Sequence, residues 1–275
     1  MRPLSFFLLG ALALGGCAWE PGEGFAVVEP TVRAAYTPRA DRDAGDGFQR
    51  LSSDYQVRLD SATLNLSGIE LLSAGSAGGA FDPSKPPPGY TLCHGGHCHR
   101  TDGALIPYEQ VAAEQGGGSG AQAVVTLSSS APWNLLAPET RAVACQPNCE
   151  LPATQVSQGR WNLQGLRFTG TVRDGRVPAR FSGEHRFDMN LSVDSGQPVA
   201  VLGGVVDLAS DRKTPPRAEL ALGLELTAAL FDGLDFNALQ PGTDGVISID
   251  ASKGAAFLER LTTVSPQAEV VRGEP

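Results

Sequence analysis

Between Glu184 and Asp194 the chain reads Glu-His-Arg-Phe-Asp-Met-Asn-Leu-Ser-Val-Asp, with Phe187, Met189, Leu191 and Val193 alternating with polar residues. Neighbouring side chains of a β-strand point to opposite faces, so a period of two marks a strand with one buried face, where a helix would show a period near 3.6. The rhythm returns at Leu220, Leu222, Leu224 and Leu226, and at Tyr55, Val57 and Leu59. Leu64 and Leu66 lead to Ile69 and Leu71 with a change of phase at Ser67-Gly68, which predicts a bulge or bend. Further extended runs are Ala123 to Leu127, Trp161 to Val172, Gln197 to Leu208 and Val246 to Ile249. Arg173-Asp174-Gly175-Arg176 between two such runs predicts a hairpin. Helical turns are expected over Val111–Gln115, Thr227–Leu230 and Lys253–Leu261. Many short strands without a βαβ rhythm predict an all-β fold, an antiparallel β-sandwich or open barrel with one or two short helices and long loops. A transmembrane barrel needs aromatic girdles, and aromatics are only 7% of this chain.

The N-terminus carries a different signal. Arg2 precedes an apolar run from Leu4 to Leu14, the layout of a secretory signal peptide. At about ten residues the run is too short to span a bilayer, which takes roughly 20. It ends in Leu14-Gly15-Gly16-Cys17. This resembles the lipobox of bacterial lipoproteins: an aliphatic residue, two small residues and the cysteine that takes the lipid. The resemblance covers the first 17 residues and implies cleavage before Cys17, lipid on Cys17 and attachment to a membrane. Ala18 follows where an Asp would favour inner-membrane retention, so the resemblance implies an outer-membrane lipoprotein facing the periplasm or the cell exterior.

The expected organisation is a signal peptide over 1–16, a lipidated flexible tether over 17–48 rich in Pro, Ala, Gly, Arg and Asp, one β-rich domain over 49–265 and a loose tail over 266–275. Within the tether, Asp41 to Gly47 resembles an aspartate-rich calcium loop. Gly45 stands where a third ligand is required and no Glu closes the loop, so it reads as a solvated linker. About 258 residues after the leader amply supply a core. A net charge of -9 and a pI near 4.9 argue against nucleic acid as a partner, since phosphate binding takes basic patches. Apart from a membrane reached through lipid, no partner is indicated.

The strongest chemical feature is Cys93-His94-Gly95-Gly96-His97-Cys98-His99. Three of the four histidines and two of the four non-lipid cysteines fall in this window. Gly95-Gly96 lets the chain turn so that both flanks face one point. Imidazoles bind copper or zinc, and thiolates could add to the set. Export to an oxidising compartment favours disulfides, and Cys93, Cys98, Cys145 and Cys149 form an even set with three connectivities. The leading expectation is therefore a transition-metal site at His94, His97 and His99, with Cys93 and Cys98 either ligands or a disulfide closing the loop.

Two other readings stand beside it. Cys93 and Cys98 followed by His99 also resembles a wide-spaced haem c attachment motif, which implies an electron-transfer module and ranks below copper or zinc. A disulfide-stapled loop on a structural or ligand-binding surface lipoprotein is the plainer alternative. His185 shares the parity of Phe187 and Met189, so it is expected to point inward, and it is a further candidate ligand. No G-x-S-x-G elbow, H-E-x-x-H pair or phosphate-binding glycine loop occurs, so no enzyme activity is expected.

Overall fold

The computed structural model of the chain describes residues 25–73, 84–94, 97–101, 105–107, 122–180, 182–192, 197–211, 213 and 215–273. The signal peptide, Cys17 and the turn expected over 111–115 lie outside them. In chain order the strands are β1 (Ala26–Tyr36), β2 (Gln49–Arg50), β3 (Tyr55–Ser73), β4 (Tyr90–His94), β5 (His97–Arg100), β6 (Leu105–Pro107), β7 (Ala123–Ser128), β8 (Trp133–Asn134), β9 (Thr140–Ala142), β10 (Ala144–Gln146), β11 (Glu150–Leu151), β12 (Thr154–Asp174), β13 (Glu184–Ser192), β14 (Ala200–Ser210), β15 (Arg217–Leu226), β16 (Val246–Ile249) and β17 (Gln267–Arg272). One short α-helix, α1 (Ala255–Leu261), and a 3-10 turn at Ala228–Gly233 fall close to the two helical segments expected.

The fold is an all-β sandwich built from two sheets that do not close into a barrel. The larger runs β10-β7-β3-β12-β13-β16, the smaller β11-β1-β15-β17, and β4-β5-β6 make a third, three-stranded sheet. Two long strands organise the larger sheet. β3 and β12 pair antiparallel from Val156 opposite Ser73 to Asp174 opposite Tyr55. The far edge of β12 is shared: its first half pairs with β14, its second half with β13. Strands of 19 and 21 residues stay on one core by bending, and the register shifts at four points along the pair. One shift lies where the sequence changes phase. Asn162 faces Gly68 and Leu163 faces Leu66, so Ser67 is the extra residue, and its hydroxyl donates to the Asn162 carbonyl at 3.1 Å.

Pairing is mixed rather than purely antiparallel. β1 runs parallel to β15 from Val27–Arg217 to Tyr36–Leu226, and β13 runs parallel to β16. The first of these pairings corrects the tether expected over 17–48. Residues 26–36 are a strand with Ala26, Val28, Val32 and Ala34 buried. Small side chains hid the alternation, because Ala and Pro weaken the apolar signal that Leu or Phe would give. The loose tail expected over 266–275 is also corrected: Gln267–Arg272 pairs antiparallel with β15. Arg272 there donates to the Pro215 carbonyl at 3.1 Å and also bonds the Ala209 carbonyl.

The hairpin at Asp174-Gly175 is present, but β12 ends at Asp174 and β13 begins only at Glu184, so the connection is longer than a two-residue turn. Asp174 organises that loop. Its carboxylate accepts from the Arg180 amide at 2.6 Å, from the Arg176 amide at 3.0 Å and from the Arg176 guanidinium at 2.7 and 2.8 Å. Those bonds, led by the guanidinium, hold its carboxyl far below the usual carboxylate range. The Arg176 guanidinium in turn stacks on the Tyr55 ring at 4.4 Å. A second clamp joins distant parts of the chain. Arg42 donates to both oxygens of Asp232 at 2.7 and 2.8 Å, and the Ser52 amide adds a third bond at 2.8 Å. Burial alone would raise Asp232, and these bonds override it and lower its carboxyl. Arg42 belongs to the supposed calcium loop, in which Asp41 pairs with Arg39 and Asp43 accepts from the Gly45 amide.

The core is one cluster drawn from both large sheets and α1. An aromatic nucleus sits against β12 and β13: Phe168 lies 5.6 Å from Phe231 and 5.4 Å from Phe257, and Phe187 lies 6.0 Å from Phe231. Offset and edge-on aromatic pairs at such spacings favour one packing over alternatives. Gly170 makes this approach feasible, because a Cβ there would strike the Arg58 carbonyl and come within 3.0 Å of the Phe187 ring. Among the described residues no helix is long and apolar enough to cross a membrane.

Candidate functional site

The Cys/His segment folds as a hairpin. β4 and β5 pair antiparallel with Cys93 opposite Cys98, His94 opposite His97 and Leu92 opposite His99. β6 continues the sheet on the far side of β5. Cys93 and Cys98 form a disulfide across the hairpin, with their Cα atoms 3.9 Å apart. Cys98 is fully buried and Cys93 nearly so. Alternation puts the next residue on the other face, and His94 is exposed while His99 is half-buried. A residue and the diagonal neighbour of its cross-strand partner are within reach of long side chains. His94 and His99 stand in that relation, and their Nε2 atoms are 3.0 Å apart. The ring centroids lie 5.0 Å apart at an interplanar angle of 31°. The rings therefore lean together at their Nε2 ends. One Nε2 donates to the other, which one depending on the tautomer. The Thr91 hydroxyl donates to the His99 carbonyl at 3.3 Å, tying the strands beside the pair.

The structure thus separates the two residue types that the sequence presents together. Cys93 and Cys98 are not thiolate ligands, because each sulfur is bonded to the other. For the same reason neither can form a haem thioether in this state. His94 and His99 are brought together. The register sets His97 opposite His94, and its side chain lies outside the described residues. Among the described residues no three His, Cys, Asp or Glu side chains converge on one point.

His185 takes a different place. It is the second residue of β13, in the same row as Phe187, Met189 and Leu191, as its parity predicts, but its place near the strand end leaves it half-buried. Its Nε2 bonds the Ser182 carbonyl at 3.2 Å. It lines a cleft of about 220 Å³ with Arg180, Phe236, Leu239, Gln240 and Ile247. Sequence reasoning did not find this cleft, since Arg180, Phe236 and Ile247 come from three separate segments and share no motif.

Cys145 and Cys149 form the second disulfide, with Cα atoms 5.0 Å apart. Cys145 lies in β10, at the edge of the larger sheet opposite β7, and Cys149 immediately precedes β11, which pairs with β1 in the smaller one. The Cys149 carbonyl accepts from the Val28 amide at 2.8 Å. This bridge fastens the point where the chain crosses between sheets. No protein family, curated protein or solved structure matches the chain.

Proposed function

We propose that the chain is an exported lipoprotein, lipidated on Cys17 and held at the outer membrane, that binds a transition metal through His94 and His99, with His97 the third candidate ligand. The observation that carries the metal reading is the 3.0 Å approach of two imidazole nitrogens on the exposed face of a hairpin. Neutral imidazole is the commonest transition-metal ligand, and copper and zinc both accept it. The disulfide beneath the pair supports this reading, because a covalently closed register presents the rings without using sulfur as a ligand. It also fits an oxidising compartment, as the signal peptide and lipobox imply.

The strand at Ala26 adds a constraint to the anchor. Eight residues separate Cys17 from β1, so at about 3.3–3.6 Å per residue the lipid and the sandwich lie within roughly 30 Å of one another. The domain then works close to the membrane surface rather than at the end of a long leash.

The test is direct. Mass spectrometry of the exported protein should show an acylated N-terminal Cys17, and Cys17→Ala should release the protein from the membrane fraction. Metal analysis of the purified protein should find copper or zinc in stoichiometric amount, and the double variant His94→Ala with His99→Ala should lose it. Metal-free wild-type protein that takes up neither ion would leave a disulfide-stapled scaffold as the better reading.

A further inference from the structure

The cleft beside His185 lies where the larger sheet stops short. β16 joins β13 at Arg186 opposite Val246 and continues with Phe187 opposite Ile247. His185 stands one position before that ladder, so among the described residues it pairs with Val172 of β12 on one side and with no strand on the other. The segment from Phe236 to Pro241 supplies the missing wall and leaves a cavity of about 220 Å³. The floor is apolar. Phe236 and Ile247 are almost fully buried, and the Phe236 ring is held by Tyr55 at 5.6 Å and Phe187 at 6.1 Å. The mouth is polar, with Arg180 and Asn237 exposed. Asp174 holds the Arg180 amide at 2.6 Å, while the Arg180 guanidinium makes no hydrogen bond or ion pair among the described residues. Asn237 is fixed through its backbone: its amide donates to Asp235 and its carbonyl accepts from Gln240, each at 3.1 Å. Its side-chain amide is likewise unpaired among the described residues. The Gly242 amide donates to the Val246 carbonyl at 2.8 Å, so the far rim is already closed by a turn.

We infer that this cleft is a second binding site, independent of the histidine pair, for a small apolar carboxylic acid in its anionic form. Size limits the ligand. An apolar cavity of about 150 Å³ takes up benzene, so one of about 220 Å³ holds a single ring or a short branched chain together with a carboxylate. The apolar part lies on Phe236 and Ile247, where removing its surface from water drives binding. The carboxylate meets Arg180 at the mouth, because a planar guanidinium matches two carboxylate oxygens, and Asn237 adds a neutral donor. One guanidinium and one amide suit a single negative charge. No carboxylate of the protein lines the cleft among the described residues. The acids nearest in sequence are engaged: Glu184 lies 3.6 Å from the Arg173 guanidinium, Asp235 accepts from the Asn237 amide, and Asp244 accepts from the Val246 amide at 3.1 Å. In a chain of net charge -9, a cleft with an unpaired guanidinium and no acid of its own favours an anion over a cation. His185 serves as a wall, its Nε2 donating to the Ser182 carbonyl.

The exported full-length protein, with its disulfides intact and its isoleucine methyl groups isotopically labelled, is titrated in the magnetic resonance spectrometer with benzoate, with 4-methylpentanoate and with benzamide, the neutral counterpart of benzoate. The expected result is a saturable shift of the Ile247 methyl signal by both acids, with benzoate bound roughly 10-fold more tightly than benzamide. That factor is the lower end of what a hydrogen bond to a charged group contributes, as suits a guanidinium at an exposed mouth. Arg180→Gln should bring benzoate down to the affinity of benzamide without moving the urea midpoint, because the Arg180 side chain is exposed. Arg186→Gln removes the same charge from the outward face of β13 and should leave benzoate binding unchanged. Equal affinity of the wild-type protein for benzoate and benzamide would overturn the choice of an anion. An Arg180→Gln protein that still prefers benzoate would overturn the role of Arg180. No saturable shift of Ile247 with either acid at millimolar concentration would overturn the cleft as a binding site.

Discussion

The two disulfides close loops of nearly equal length, five residues apart in sequence for Cys93–Cys98 and four for Cys145–Cys149. They sit in very different surroundings. Cys145–Cys149 lies where the chain passes from the large sheet to the small one, with β10 paired to β7 on one side and β11 paired to β1 on the other. Cys93–Cys98 lies in a three-stranded sheet that, among the described residues, shares no ladder with either layer. In the chain-entropy view both bridges remove a similar amount of disorder from the unfolded chain, about 2 kcal/mol for loops this short. What they stabilise differs. One constrains the crossover of the sandwich, and the other fixes a register that brings His94 and His99 together.

The largest effect expected from breaking this contrast is on binding. His94→Ala with His99→Ala should abolish metal uptake while leaving the urea midpoint of the sandwich unchanged, because His94 is exposed and His99 contributes to neither large sheet. Next, Cys145→Ser with Cys149→Ser should lower global stability by about 2 kcal/mol, read by urea denaturation. The matching change at Cys93 and Cys98 should leave the main transition near its wild-type position and weaken metal binding instead. Equal loss of global stability from the two pairs would erase the distinction.

Acid should act on the sandwich through its clamped carboxylates. Asp174 and Asp232 are lowered in the folded state. Their ionised forms therefore contribute stability that is fully present above the unfolded carboxylate value of about 3.9 and is lost as pH falls through their folded values. The urea midpoint should therefore fall only in acid below that value, and Asp174→Asn should flatten the dependence, read by circular dichroism across a pH series. The smallest effect belongs to Thr91→Ala, whose exposed hydroxyl ties β4 to β5. It should shift stability by about 0.5 kcal/mol or less and leave the metal in place.

Alternation made much of the fold legible. Phe187, Met189 and Leu191 are buried as their spacing requires, and the change of phase at Ser67-Gly68 is a bulge. Asp174-Gly175 marked a reversal but not its length, because the Asp174 carboxylate captures the amides of Arg176 and Arg180 and so builds a wider loop. β1 was missed because its inward row is mostly Ala, Val and Pro, and its place was settled by parallel pairing with β15, far along the chain. At the candidate site the spacing of Cys93 to His99 showed that sulfur and nitrogen crowd together. It left open whether sulfur and nitrogen act together, and folding put them on opposite faces.

What the sequence alone determined is therefore local: which runs are strands, which face of each is apolar, and where histidines and cysteines crowd. These features depend on side-chain period and composition, which each segment carries by itself. Only the tertiary structure decided which strands pair, that residues 26–36 and 267–272 join the small sheet, and that His185 lines a cleft with Arg180 and Phe236. Those outcomes depend on hydrogen-bonding edges and buried surfaces supplied by distant parts of the chain. The His94–His99 pair lies between the two cases. Its residues are five apart, yet only a closed hairpin register turns that spacing into two nitrogens facing one point.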